Sequence, residues 1–184
     1  MQGRKSNSVR EMVYIALFTA IMCVIAPFSI PIGPVPLTFA TLAVYLVATS
    51  LPLRTAVASV ALYIAIGAFG MPVFANFEGG LQKLASASGG YIIGYLPCAA
   101  ITGSLISVFE KKHFLKAGLS HAAGMAVGTA ALYCCGTVWF MFQTGNPFGA
   151  SVMLCILPFI PGDAVKIAAA AVISPRLRSV THPY

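Results

Sequence analysis

Charge is what this sequence has least of. Only 8% of its 184 residues are Asp, Glu, Lys or Arg, and just four are acids, against roughly 25% charged in an ordinary soluble domain. So few charges cannot cover the surface of a water-soluble domain of this length. A phosphate-binding loop of the form GxxxxGK[ST] is missing as well, so the chain does not hold ATP through a P-loop and any active transport needs another energy source. The cysteines, Cys23, Cys98, Cys134, Cys135 and Cys155, are odd in number, form no CxxC and lie in apolar stretches, where they read as small buried hydrophobes. His113, His121 and His182 have no spacing that places two on one helical face, which argues against a metal site. No Ser/His/Asp constellation is visible. What the chain does have is apolar bulk, with 59% hydrophobic residues and a mean hydropathy of +0.90. That excludes a disordered chain, and 17 Gly with 12 Pro at no fixed period exclude a collagen-like one. The expectation is one membrane domain over residues 1–184.

Stretches free of Asp, Glu, Lys and Arg run over 12–53, 55–77, 84–109 and 117–162. A spanning helix takes about 20 apolar residues, so the first and last stretches each hold two. Pro27, Pro31, Pro34 and Pro36 divide the first, because proline lacks a donor and disfavours helix in the residue before it. Gly145-Asn146-Pro147 divides the last. An all-α fold of six transmembrane helices follows, near 12–26, 37–51, 55–69, 91–109, 121–142 and 150–174, with an outer lid over 70–90. Residues 1–26 are read as a first helix and not a cleaved leader, since no polar mature domain follows. The first three helices are short for a hydrocarbon core of about 30 Å, so they either extend into the Pro-rich connection or thin the bilayer.

Six spans put both termini on one side, together with Arg4, Lys5, Arg10, Arg54, Lys111, Lys112, Lys116, Arg176 and Arg178. Those are nine of the 11 basic residues. The excess of Lys and Arg marks that side as cytoplasmic. The net charge of +7 therefore reads as membrane topology and not as a nucleic-acid footprint.

Two charges stand out in the last apolar segment, Asp163 and Lys166. An unpaired charge near the bilayer centre costs about 2.5–3.5 kcal/mol on insertion scales. Spaced i and i+3, the two share a helical face, so they either form an internal ion pair that fixes packing or complement a small polar ligand with acceptors and donors. Pro158, Pro161 and Gly162 precede them, and an interrupted membrane helix is tolerated where its backbone lines a cavity. The lid mixes glycine, aromatics and single polar groups, which suits a folded cover over a ligand entrance, or alternatively a structural re-entrant loop. Small residues recur at four-residue spacing as Ala16 with Ala20, Gly90 with Gly94, and Gly124 with Gly128. The glycine pairs read as internal packing and the alanine pair as a surface for a foreign helix.

At these residues the sequence resembles the BioY family, the biotin-specific substrate-binding (S) components of energy-coupling-factor (ECF) vitamin transporters. Ile30-Pro31-Ile32-Gly33-Pro34-Val35-Pro36-Leu37-Thr38 matches the family's first outer connection. Gly70-Met71-Pro72-Val73-Phe74-Ala75, then Gly79-Gly80 and Gly89-Gly90-Tyr91, match its lid, and Pro161-Gly162-Asp163 with Lys166 matches its last helix. The resemblance implies biotin as transported ligand with no cofactor, bound near the outer face. It implies that Asp163 accepts from the ureido N–H groups, that Lys166 donates to the ureido oxygen or the carboxylate, and that Asn76 is an amide contact from the lid. Phe74 and Tyr91 would be apolar walls or plain core. It also implies a transmembrane T component and two ATPase subunits as partners, met through Ala16 and Ala20 within the lipid of a prokaryotic cytoplasmic membrane; action alone as a homo-oligomer stays open.

Three departures from the family pattern matter. Ser86-Ala87-Ser88 stands where the family commonly has Gly-Pro-Thr, which keeps a hydroxyl at Ser88. Ala40 replaces a frequent glutamine, and no arginine occurs between Arg54 and Arg176. Lys83 or Lys166 would then meet the ligand carboxylate, unless Lys83 is a solvated loop charge. The alternatives are another vitamin or a biotin precursor as cargo, a small membrane enzyme using Asp163 as general base and Lys166 as electrophile, and a structural or pore-forming subunit. None calls for nucleic acid.

Overall fold

The structure is a computed structural model that describes residues 2–31, 34–111 and 117–181. Helices dominate it, in the order α1 (Gln2–Ile25), a hairpin of β1 (Ser29–Ile30) and β2 (Leu37–Thr38), α2 (Ala40–Ser50), α3 (Leu53–Ala68), α4 (Leu81–Leu84), α5 (Gly89–Lys111), α6 (Ala117–Thr144), α7 (Phe148–Cys155) and α8 (Ile160–Thr181). Apolar helices stand at all six expected places, and they differ from expectation in ways that proline and helix geometry explain. α1 starts before the apolar run, since nothing in the polar N-terminal residues stops a helix. The second helix is shorter than 37–51, because Leu37 and Thr38 pair with Ile30 and Ser29 across the Pro-rich connection. The sixth, expected as one helix over 150–174, is two. It breaks over 156–159 and bends by 48°, where Pro158 withholds a backbone donor, while Pro161 sits harmlessly in the first turn of α8.

Among the described residues, Gly89–Glu110 and Ala117–Thr144 are long and apolar enough to cross a membrane, and α7 with α8 passes the same test if the bent pair counts as one span. At 11 residues α2 rises only about 16 Å, short of a bilayer core, so the six-span count is not established by length alone. The outer surface agrees with lipid. Phe69 is 91% exposed and Phe142 86%, and valines line the outward faces of α1 and α8. Such a girdle is unfavourable in water and at home in hydrocarbon.

Inside, α5 packs on α6, α2 on α8 and α5, and α3 on α1 and α5. Glycine permits the closest of these approaches. A Cβ at Gly124 or Gly128 would strike α5 at Thr102, Ile106 or Cys98, and one at Gly90 or Gly94 would strike α6 at Trp139, Leu132 or Cys135. Both glycine pairs thus serve internal packing. Ala16 and Ala20 lie on the exposed face of α1, opposite buried Phe18 and Met22. Tyr45, Val44, Ala48, Met125 and Leu132 fill the centre.

The molecule has two distinct ends. The hairpin, the α7/α8 break and the segment between α3 and α5 gather at one. At the other, Arg10 of α1 donates to Val180 O at 3.4 Å, so the first and last helices share that end. Ile32, Gly33, Lys112, His113, Lys116 and His182 lie outside the described residues.

Candidate functional site

The break before α8 does two things at once. It frees backbone groups that need partners, and it places Asp163 in the first turn of a helix, where a negative charge is favoured. Asp163 is 3% exposed and Lys166 8%, so both charges are held by partners and not by water. Lys166 Nζ donates to Asp163 Oδ1 (2.9 Å), Thr41 Oγ1 (2.9 Å) and Thr38 O (2.7 Å). Those are all three donors that an ammonium has. Thr41 Oγ1 in turn donates to Asp163 Oδ1 at 3.1 Å, and the Tyr133 hydroxyl donates to Asp163 Oδ2 at 2.7 Å. Oδ2 therefore keeps acceptor capacity that no group among the described residues fills, and the Tyr133 oxygen keeps its own. The pair expected from i, i+3 spacing is formed, and it is one part of a network that joins α8 to α2, α6 and the hairpin.

This network faces a cavity of about 560 Å³, its open mouth included, lined by Val35, Pro36, Leu37, Thr38, Ala40, Thr41, Tyr63, Phe74, Ala75, Lys83, Ser88, Tyr91, Ile92, Tyr95, Leu132, Tyr133, Phe159, Asp163 and Lys166. Its composition, mostly apolar and aromatic with a few placed polar groups, is that of a small-molecule site. Tyr91 stands against a glycine of α6, where a Cβ at Gly136 would enter its ring, and its hydroxyl donates to Cys155 O at 2.7 Å, a carbonyl that the end of α7 leaves without a helical partner. Phe159, in the break itself, meets Tyr91 at a ring distance of 6.4 Å. The Tyr95 hydroxyl lies 3.5 Å from Thr38 Oγ1.

The segment between α3 and α5 covers the cavity. Phe74 is fully buried, packs edge-on to Tyr63 at 5.7 Å, and presses on Gly67, where any side chain would collide with it. The Tyr63 hydroxyl donates to Val73 O at 3.0 Å and so ties the segment to α3. Ser88 faces the cavity, and its Oγ lies 3.1 Å from Ser86 Oγ, while Trp139 Nε1 donates to Ser86 O at 3.0 Å. The Ser86-Ala87-Ser88 turn is thereby held by hydrogen bonds. Lys83 also lines the cavity, paired with Glu78.

Of the expected site residues, Asp163, Lys166, Phe74, Tyr91, Lys83 and Ser88 come together around this one cavity. Asn76 does not line it. That residue is exposed at the lid's edge, accepts from Ser29 Oγ at 2.7 Å through its Oδ1, and donates its backbone N–H to Pro27 O at 3.0 Å. Thr41, Tyr133, Tyr95, Tyr63 and Phe159 were not foreseen. Among the described residues no group of three or more His, Cys, Asp or Glu side chains could hold a metal ion.

A second, partly buried polar cluster lies at the opposite end. Arg178 donates to Glu110 Oε2 at 2.7 Å and to Thr49 O at 2.8 Å. The His121 ring lies 2.6 Å from Ser174 Oγ through Nδ1 and 3.5 Å from Glu110 Oε1 through Nε2. Thr181 donates to Ser50 O. This cluster ties α2, α5, α6 and α8 together.

Comparison with known proteins places these features in context. The family model for the BioY family matches residues 1–182. The biotin transporter BioY of Thermotoga maritima is 36% identical over 172 residues, covering 94% of this chain and 98% of that protein. A probable biotin transporter BioY of Pyrococcus horikoshii is 34% identical, with the same coverage of 94% and 98%. The crystal structure of the S-component for biotin from an ECF-type ABC transporter superposes with a TM-score of 0.86 at 26% identity, over 95% of this chain and 93% of that one.

Proposed function

Since the chain belongs to the BioY family, we propose that it captures biotin as the substrate-binding subunit of an energy-coupling-factor transporter. Its relatives are named as transporters and not as enzymes. The observation that carries the reading is the distribution of polar groups around the cavity. A buried carboxylate with spare acceptor capacity stands at one place, aromatic walls surround it, and a second cation stands under the lid.

Biotin offers matching chemistry: a cyclic urea with two N–H donors and one oxygen, a thioether ring, and a flexible acyl chain ending in a carboxylate. Asp163 Oδ2 accepts from a ureido N–H beside Tyr133. Lys166, paired with Asp163 at 2.9 Å, turns one of its three donors to the ureido oxygen as ligand enters. Tyr91, Phe74, Tyr95 and Phe159 enclose the ring system, Ser88 adds a hydroxyl, and Lys83 meets the carboxylate. Asn76 acts on the lid through Ser29 and not on the ligand directly. Biotin is cargo here, so no cofactor is involved. As in the wider transporter class, a transmembrane T component and two ATPases supply the energy, and the smooth exposed stripe of Ala16 and Ala20 suits contact with another membrane helix. The protein is multi-pass; the shared end of α1 and α8, rich in Arg and Lys, faces the cytoplasm by the positive-inside rule.

Equilibrium dialysis of detergent-purified protein against labelled biotin tests the reading. Saturation near one ligand per chain, with biotin recovered unchanged, is the expected result. Absence of saturable binding overturns it, and saturation by a different vitamin alone reassigns the cargo.

A further inference from the structure

The two lysines of the cavity are paired in different ways. Lys166 spends its three donors on Thr38, Thr41 and Asp163. Lys83 Nζ lies 2.9 Å from Glu78 Oε2, and among the described residues that carboxylate is its one ion-pair partner. The exposures are unequal, 12% for the lysine side chain and 50% for the glutamate. Glu78 therefore reaches the ammonium from the water side, while Lys83 also borders the cavity. A tight reversal sets this up. Asn76 and Phe77 adopt left-handed φ values of 61° and 58°, so the chain doubles back and the Phe74 N–H donates to Glu78 O at 2.9 Å. Few non-glycine residues accept that conformation. The same turn carries Phe74 and Ala75 into the cavity wall.

We infer that Glu78 is an internal competitor for the carboxylate of the ligand, and that an incoming acid displaces it from Lys83. This deepens the biotin reading and rests on it. The exchange swaps one carboxylate for another on the same ammonium, so no net charge is added under the lid. Glu78 is already half in water and rehydrates easily on release, whereas a ligand carboxylate arriving from the cavity meets the more enclosed face of the cation. Preference for an acid over its neutral amide is then set by the difference between two carboxylates on one lysine, and Glu78 lowers that preference.

The experiment measures affinities for biotin and for biotinamide in detergent, on wild type, Glu78→Gln, Lys83→Gln and Lys83→Arg, and reads the acid-to-amide ratio. Removal of a rim competitor in Glu78→Gln raises the ratio by about two- to five-fold, the factor that a partly exposed ion pair carries. Lys83→Gln brings the ratio close to one, and Lys83→Arg restores it. A ratio unmoved in Glu78→Gln overturns the inference while leaving biotin capture in place. So does a fall in Glu78→Gln, which would make Glu78 a support for Lys83 and not its competitor. If wild type binds neither compound, the biotin reading fails and the inference with it.

Discussion

α8 carries an ionic network at each end, one buried and the other partly exposed, and the two differ in what they face. Near its start, Asp163 and Lys166 join Thr41, Thr38 and Tyr133, and one carboxylate oxygen still has room to accept. Near its other end, Arg178 and Ser174 join Glu110, His121 and Thr49, and both ring nitrogens of His121 and the two terminal nitrogens of the Arg178 guanidinium have partners inside the protein. The first network faces a cavity with aromatic walls, and the second does not border that cavity. Buried charge in an apolar protein is thus not a binding site by itself. On the proposed reading, spare hydrogen-bonding capacity beside open space makes it one, whereas groups that partner one another away from that cavity make a clasp that fixes how helices meet.

Substitutions at the two ends should separate affinity from stability. The largest effect is expected at Asp163. Asp163→Asn removes a charged acceptor and leaves Lys166 without its counter-ion, so biotin affinity should fall roughly 100-fold or more, a loss consistent with about 1.5–3 kcal/mol for each hydrogen bond to a charged group. Isothermal titration would measure it. Tyr133→Phe keeps the ring and removes one donor to Asp163 Oδ2, and should weaken binding about 10-fold in the same assay. Gly136→Ala puts a methyl into the Tyr91 ring and should cost about 1–3 kcal/mol of stability through overpacking, seen as a lower denaturation midpoint. The smallest change in affinity is expected from Arg178→Gln. That variant should unfold more readily yet bind biotin within about threefold of wild type, since its partners lie at the far end. A large loss of affinity in Arg178→Gln would break the distinction between the ends.

How much of this was legible in the sequence depended on how unusual each residue was where it stood. Asp163 and Lys166 were visible because a charge inside an apolar run is costly and therefore rare. The helix break before them was visible as a disruption, through Pro158, Pro161 and Gly162, but whether the chain bends or stops there depends on what accepts the freed groups, such as the Tyr91 hydroxyl on Cys155 O. Tyr133 and Thr41 carried no signal. Tyrosine and threonine are ordinary in membrane helices, and Thr41 meets Asp163 across 122 positions of chain. The hairpin was hidden because strands of two residues have no period to detect. Lys83 was visible as a charge, but its place under the lid depends on the reversal at Asn76 and Phe77, two residues whose left-handed backbone nothing in their identity announces. For Asn76 the family pattern pointed to a ligand contact, and in the fold its amide side chain is engaged by Ser29 outside the cavity.

The central claim is that Asp163, and not the ionic cluster at the opposite end, is where biotin is held. Thermal unfolding of detergent-purified wild type, Asp163→Asn and Arg178→Gln across a range of biotin concentrations tests it most directly, because a ligand that binds only the folded state raises the midpoint as its concentration passes Kd. Biotin should raise the midpoint of wild type and, from a lower starting value, of Arg178→Gln, and leave Asp163→Asn unmoved. An equal rise in Asp163→Asn and wild type would contradict the claim.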